Sequence, residues 1–235
     1  MYEAAVYYFN NFDYFNTIKN SILDEKIRIY KLLKILISQR DFYSMYALGY
    51  SYYSGDEGVI EQNYRKAYYW LNKALKIIPD DCNEHLSSIH NTFGYMYYYG
   101  YTGRPNYKKS YYHFNIASEL NNASSMYKIG DLYRKGYFLE KNLEKAFFWY
   151  KKSYDCAQAD DYYVNASALF RIGRAYFHGE GIKKSTKLAY KNLNKSKEHF
   201  KIFIKDKESS NYKWYATESF KQVNYLLKIL KKQYK

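Results

Sequence analysis

The chain has 235 residues and a formal net charge of +14, with 37 Lys and Arg against 23 Asp and Glu. A hydrophobic fraction of 47% supports a sizeable core and excludes wholesale disorder. With 2 Pro and 11 Gly it reads as long helices rather than a turn-rich β-sandwich, and 2 Cys cannot staple a secreted scaffold of this size. No run approaches the ~18 uninterrupted apolar residues of a membrane span, and the N-terminus lacks a basic region followed by an apolar block. The expectation is a reduced, cytoplasmic protein. The 34 Tyr admit two accounts. Tyr, Lys, Asn and Ile are all codon-cheap in AT-rich genomes, and an aromatic binding surface would also collect Tyr.

Residues 1–41 are predicted to form N-terminal capping helices. Glu3 to Phe9 reads as a degenerate second helix of a pair, and Ile18, Ile22, Ile29, Leu32, Leu33 and Leu36 recur at helical spacing. From residue 42 one pattern recurs four times, over about 42–77, 85–121, 123–155 and 162–205. Eight glycines form pairs at equal spacing: Gly49/Gly55, Gly94/Gly100, Gly130/Gly136 and Gly173/Gly179. The segments Ile78–Glu84 and Asp155–Asp161 are acidic insertions, expected to lengthen the helix that follows. A C-terminal capping helix is predicted within 206–235, where Phe220, Val223, Leu226, Leu227 and Leu230 keep helical spacing. The whole is expected to be one continuous domain, since terminal units of a repeat array must cover an exposed apolar end.

Each copy has the same columns. A large apolar residue precedes the first Gly (Leu48, Phe93, Ile129, Ile172), and Tyr52, Tyr97, Tyr133 and Tyr176 stand three residues after it. A capping residue follows at Asn63, Asn106, Asn142 and Ser185, then a small residue at Ala67, Ser110, Ala146 and Ala189, and another at Ala74, Ala117, Ser153 and Ser196. The first Gly lies inside a helix at a cost of about 1 kcal/mol relative to Ala, which points to close approach by a neighbouring aromatic. The second suits a left-handed helix end, and Asn or Ser caps the next helix through its side-chain oxygen. The unit is helix A, a Gly-closed turn, then helix B.

This pattern resembles the Sel-one-like repeat family, relatives of the tetratricopeptide solenoids. The third copy carries it best, through Ile129-Gly130, Tyr133, Gly136, Asn142, Ala146, Trp149 and Ser153. The resemblance implies an all-α fold, a right-handed α/α solenoid of about four helix-turn-helix repeats with atypical helical caps at both ends. It also implies a scaffold that binds a partner protein or peptide on the concave face lined by helices A. Cysteine-rich secreted relatives carry a disulfide in each repeat. This chain lacks that pattern, so their properties are not transferred.

No catalytic constellation is present, and no metal or cofactor is expected. The glycine pairs are followed by no Gly-Lys-Ser/Thr, the five His are scattered, and His85 and His90 are five apart, a poor spacing for two ligands on one helix face. Cys82 and Cys156 are isolated and read as idle thiols. The expectation is a non-enzyme.

Two surfaces could bind a partner. Helix-A positions facing away from the buried stripe carry Tyr46, Tyr50 and Tyr53, then Tyr95 and Tyr98, then Tyr127, Asp131 and Arg134, then Arg174. Tyr and Arg combine large contact area with polar tips, but such rings also fill the space between adjacent A helices. Separately, residues 183–235 hold 15 Lys and 4 acidic residues. Lys187, Lys191 and Lys195 lie four apart on one helix face; Lys201 and Lys205 continue the basic stretch. This face either keeps the protein solvated or contacts an acidic partner. Nucleic acid is the less favoured polyanion, because Lys attracts phosphate without reading bases.

The leading functional reading is an interaction scaffold or adaptor, either a bacterial intracellular regulator or toxin-immunity protein, or a eukaryotic quality-control adaptor. The alternative is polyanion binding through the Lys-rich C-terminal region. A hydrolase is the third reading, kept because distant secreted relatives show that such an array can carry a pocket.

Overall fold

The computed structural model describes residues 40–55, 60–206 and 213–233, and before them positions 27, 28, 30, 31, 33, 35, 37 and 38. The predicted stretch Glu3–Phe9 and most of the first cap lie outside these residues. Among the described residues, those from 27 to 38 are helical, nine further helices follow, and no extended strand interrupts them: α1 (Phe42–Ser54), α2 (Tyr64–Leu75), α3 (Asn83–Tyr99), α4 (Tyr107–Glu119), α5 (Ala123–Lys135), α6 (Leu143–Cys156), α7 (Tyr162–His178), α8 (Thr186–Lys205) and α9 (Lys213–Gln233). The chain divides into two compact units, residues 1–89 with 99–104, and residues 90–98 with 105–235. Odd-numbered helices from α1 to α7 are the A helices, and even-numbered ones the B helices.

Sequence dictates where each helix starts. All four predicted caps form: Asn63, Asn106 and Asn142 accept a backbone N–H from the residue three on at 3.0, 3.0 and 2.8 Å, and Ser185 accepts that of Leu188 at 3.3 Å. Each cap residue also donates its own N–H back to helix A, to the carbonyls of Tyr52, Tyr97, Tyr133 and Tyr176 at 2.7, 2.8, 3.0 and 3.0 Å. The rings of three of those tyrosines lie under the lysine three residues past the cap: Lys66 over Tyr52, Lys109 over Tyr97 and Lys145 over Tyr133, at 5.2, 5.2 and 5.5 Å. In the fourth copy Leu188 stands at the lysine's place, and it is exposed. The acidic insertions do lengthen helix A. Helices α3 and α7 have 17 residues against 13 in α1 and α5, with Glu84 in the first turn of α3 and Asp161 capping α7.

The first glycines mark close contacts between A and B helices. A Cβ on Gly130 would stand 2.5 Å from the Tyr150 ring, and one on Gly94 would overlap Phe114. In the first and fourth copies the neighbour is a leucine, Leu71 or Leu193, at 2.6 and 2.7 Å, rather than the expected aromatic. The small columns are buried, and their serines replace alanine with a hydrogen bond. Ser110 Oγ donates to the Gly94 carbonyl at 3.0 Å, and in the second small column Ser153 and Ser196 donate to the carbonyls of Ala123 and Ala166 at 2.7 and 2.8 Å. The predicted C-terminal cap packs: Val223, Leu226, Leu227 and Leu230 share one core with Ala189, Leu193 and Phe200.

Candidate partner-binding face

In the first unit the tyrosines of α1 form a partly exposed aromatic run. Tyr46 meets Tyr50 at 4.6 Å between ring centroids, Tyr50 meets Tyr53 at 6.5 Å, and Tyr53 meets Tyr64 edge-on at 5.6 Å. Tyr64 stacks on Tyr101 at 4.3 Å. At the other end of the run His85 lies edge-on to Tyr46 at 4.7 Å. Burial raises the Tyr46 phenol above its ordinary value, against the pull of hydrogen bonds with Ser88 and Tyr50. It therefore offers a neutral hydroxyl at any physiological pH.

In the second unit four of the predicted contact residues are buried, which corrects their expected exposure. Tyr95, Tyr98, Tyr127 and Asp131 expose 7%, 6%, 1% and 7%. The Tyr95 hydroxyl hydrogen-bonds Tyr127 and Ser124, and the rings of Tyr98 and Tyr95 flank the Lys128 ammonium at 4.6 and 5.2 Å. These side chains fill the space between neighbouring A helices, so little of them is left for a ligand.

Their polar ends converge on a charged cluster that the sequence reading missed. Arg171 grips Asp131 with two hydrogen bonds of 2.6 Å and lies over the Tyr127 ring at 4.6 Å. Tyr150 donates its hydroxyl to the same carboxylate at 3.1 Å, and the Lys128 ammonium is 3.9 Å away. Burial pushes the Asp131 carboxyl up, but Arg171 and Lys128 outweigh it and hold the group far below the ordinary carboxylate range. Burial takes the Lys128 ammonium down to about 7, although Asp131 opposes the shift. The available signal was the position two residues before the first Gly. It reads Ala47, Thr92, Lys128, Arg171, so a charge replaces a small side chain in two adjacent copies.

Arg134 and Arg174 are only partly buried. Both address Glu180 in the turn after α7, Arg134 through hydrogen bonds of 2.9 and 3.2 Å and Arg174 at 3.7 Å. Of the predicted lysines, Lys187, Lys191, Lys195 and Lys205 are exposed, while Lys201 is partly exposed and bonded to Glu198 at 2.9 Å. A groove of about 430 Å³ between α8 and α9 is lined by Lys197, Lys228, Lys231 and Lys232 with Asn194, Asn224 and Leu227.

Among the described residues no group of three or more His, Cys, Asp or Glu could hold a metal ion, and no helix is long and apolar enough to cross a membrane. His90 and His113 do meet, with Nδ1 atoms 3.0 Å apart, across α3 and α4. This pairing was hidden by their separation of 23 residues.

The Sel1 repeat family model matches residues 42–76, 90–122, 123–157 and 166–199. The solved structure of a Sel1 repeat protein from Oxalobacter formigenes superposes with a TM-score of 0.56 at 18% identity, covering 84% of this chain and 78% of that one. A protective antigen of uropathogenic Escherichia coli with an SLR fold aligns at a TM-score of 0.48 and 18% identity, over 88% of this chain and 56% of that one. The chain is also 28% identical over 118 residues to the Arabidopsis thaliana ERAD-associated E3 ubiquitin-protein ligase component HRD3B. That match spans 50% of this chain but only 17% of the relative. The four matched repeats cover more than half of the chain, which belongs to the Sel1 repeat family, whose members generally act as scaffolds for protein–protein interaction.

Proposed function

We propose that this chain is a non-catalytic adaptor that holds a protein or peptide partner on the helix-A side of its repeats. The observation that carries the reading is the partly exposed run of Tyr46, Tyr50 and Tyr53, continued by Tyr64 and Tyr101. A tyrosine brings a large ring and a hydroxyl at the entropy cost of two torsions, which suits it to the centre of a protein contact. In the second unit Arg134 and Arg174 remain the accessible members of the predicted face, and the buried cluster holds their helices in register. The reading includes a role as an intracellular regulator in a reduced compartment, such as an immunity protein that blocks a toxin. The test is affinity capture from the native cell with the parent chain and Tyr50→Ala. A partner retained by the first and lost by a folded second supports the reading; equal retention overturns it.

A second reading has its own observation. The four lysines of the α8–α9 groove make no ion pair among the described residues, so a polyanion would meet an unneutralised surface there. Phosphate-dominated binding at that groove would weaken steeply with added salt.

A further inference from the structure

The Arg134–Glu180 pair sits at a basic groove that the fold leaves only partly neutralised. The groove has a volume of about 330 Å³ and is lined by Arg134, Lys135, Tyr137, Lys141, Leu143 and Glu180. Arg174 flanks it, reaching the same Glu180 carboxylate. Glu180 is the one carboxylate in the groove lining, against Arg134, Lys135 and Lys141 there and Arg174 beside it. Arg134 takes Glu180 as a fork, Nε to Oε2 at 2.9 Å and Nη2 to Oε1 at 3.2 Å. Arg174 is the poorer partner: it stands 3.7 Å off, and its Nε, shielded from solvent, makes no hydrogen bond. That Nε is enclosed, but the Arg174 side chain is 19% exposed, and an incoming carboxylate can meet this exposed part of the cation.

The position of Glu180 is imposed by the turn. Gly181 has φ +69°, and any Cβ there would overlap the Leu143 carbonyl, so the turn lies directly against the start of α6. That contact holds Glu180 in front of both arginines. Burial pushes its carboxyl pKa up, but the Arg134 hydrogen bond and the Arg174 charge outweigh this and keep it ionised below the ordinary range. The Glu180 and Arg134 side chains remain 24% and 27% exposed, so a solute can reach the pair.

We propose that this groove binds an acidic peptide segment of a partner protein, whose carboxylates occupy the open side of Arg174 and compete with Glu180 for the Arg134 fork. Glu180 is then an internal stand-in that keeps the fork aligned while the groove is empty. Arg134 already holds a carboxylate in its fork, so a Glu or Asp side chain can take the place of Glu180 without rearrangement of the guanidinium. Tyr137 and Leu143 add apolar wall for the methylene stem of such a residue. Exposed Lys135 and Lys141 steer the approach of negative charge. The proposal rests on the scaffold reading only in taking the ligand to be part of a protein.

The stand-in role makes an unusual demand, because removing an ionised groove residue should strengthen binding. The probe is a fluorescein-labelled, acetylated hexaglutamate peptide, with hexaglutamine as control, titrated into the full chain by fluorescence anisotropy. Glu180→Gln should bind hexaglutamate about tenfold more tightly, and Arg174→Gln about tenfold more weakly. Lys135→Gln and Lys141→Gln, at exposed positions, should each weaken it about threefold and keep the test valid if Arg174→Gln is unstable. Lys187→Gln/Lys191→Gln/Lys195→Gln should weaken it by no more than about twofold, all of it in slower association, since these charges lie outside the groove. Unchanged or weaker binding by Glu180→Gln overturns the stand-in. Loss confined to the lysine triple places the site elsewhere and overturns it too. Displacement of the peptide by inorganic phosphate at lower concentration than by glutarate overturns the carboxylate assignment. If hexaglutamate does not bind while the native partner is still captured, the groove proposal fails and the scaffold reading stands.

Discussion

Arg171 on α7 clamps Asp131 on α5 with both ends of its guanidinium fork, Nε to Oδ1 and Nη2 to Oδ2, each at 2.6 Å. The side chains are only 17% and 10% exposed, so each charge depends on the other in a medium that solvates neither well. Asp131→Asn should cost about 3–5 kcal/mol, because it leaves Arg171 and Lys128 enclosed without their counter-charge. The double variant Asp131→Leu/Arg171→Met should recover part of that loss, since two buried charges are replaced by apolar volume, while Lys128 and the Tyr150 hydroxyl still lose their contact with Asp131. Urea titration of the parent, Asp131→Leu, Arg171→Met and the double forms a cycle that isolates the coupling. Additive losses would show that the pair does not act as a unit.

Gly130 tests the closeness of A and B helices. A Cβ there would lie 2.5 Å from Tyr150 Cε1 and 3.1 Å from the Ala146 carbonyl oxygen. The Tyr150 ring cannot swing aside without giving up its hydrogen bond to Asp131. Gly130→Val should therefore destabilise by about 2–3 kcal/mol, well beyond any propensity effect. Gly103, with nothing within 4 Å of its would-be Cβ, is the control, and Gly103→Ala should be nearly neutral. A loss under about 1 kcal/mol for Gly130→Val would remove the close-approach explanation of the repeated glycine.

The two glycine cases show what kind of information the sequence carried. Repeated local devices were legible, because each acts within one helix-turn-helix: the glycine columns, the four caps and the small residues at the A–B contact. The recurrent tyrosine three residues past the first Gly was legible as a column but not in its task, which is to accept the next cap's N–H through its carbonyl and to lie under a lysine. The face was legible only in part. Sequence offset says which way a side chain leaves its helix, not whether the neighbouring helix covers it. Tyr46, Tyr50 and Tyr53 remain partly open, whereas Tyr95, Tyr98 and Tyr127 are covered. Arg171 with Asp131, and His90 with His113, are joined across 40 and 23 residues, which no local pattern announces.

The His90–His113 contact predicts acid lability. For one Nδ1–H to donate to the other Nδ1, the accepting ring must be neutral. Burial lowers the pKa of His113 to about 4, helped by His90 and Lys109, and burial lowers that of His90 as well. Between pH 6.5 and 4 the unfolded chain binds protons that the folded chain resists, so stability falls as pH falls through this window. The expected loss is about 1–3 kcal/mol across it, read as a lower unfolding temperature. His113→Gln should flatten that slope. A slope unchanged in the variant would assign the acid sensitivity to other groups.

The Lys-rich end predicts a kinetic effect. Lys187→Gln/Lys191→Gln/Lys195→Gln should slow association with an acidic partner and flatten its salt dependence, because exposed charges steer encounter more than they hold a complex. Stability should stay within about 0.5 kcal/mol, since all three are exposed. Association rates measured at several salt concentrations decide the point. Identical salt slopes for parent and variant would leave these lysines as a solvated face.

Tyr50 and Tyr95 occupy the same offset in adjacent repeats, and their surroundings separate a contact role from a packing role. Tyr50 is partly exposed within the aromatic run of α1, between Tyr46 and Tyr53. Tyr95 is 7% exposed, lies edge-on to Phe114 at 5.3 Å, and hydrogen-bonds Tyr127 and Ser124. Tyr95→Ala should behave as a core truncation. It removes a buried ring and leaves the Tyr127 and Ser124 hydroxyls short of a partner, at about 3–5 kcal/mol. The fraction that remains folded should bind the partner nearly as before. Tyr50→Ala should do the reverse. Its stability loss should stay near 1 kcal/mol for a half-exposed ring, while partner affinity drops by about 2 kcal/mol or more, roughly thirtyfold. Both quantities can be measured on the same two variants, by thermal unfolding and by titration with the captured partner. Intact affinity in Tyr50→Ala would reduce the tyrosine run to packing, and the abundance of tyrosine would then need only a compositional explanation.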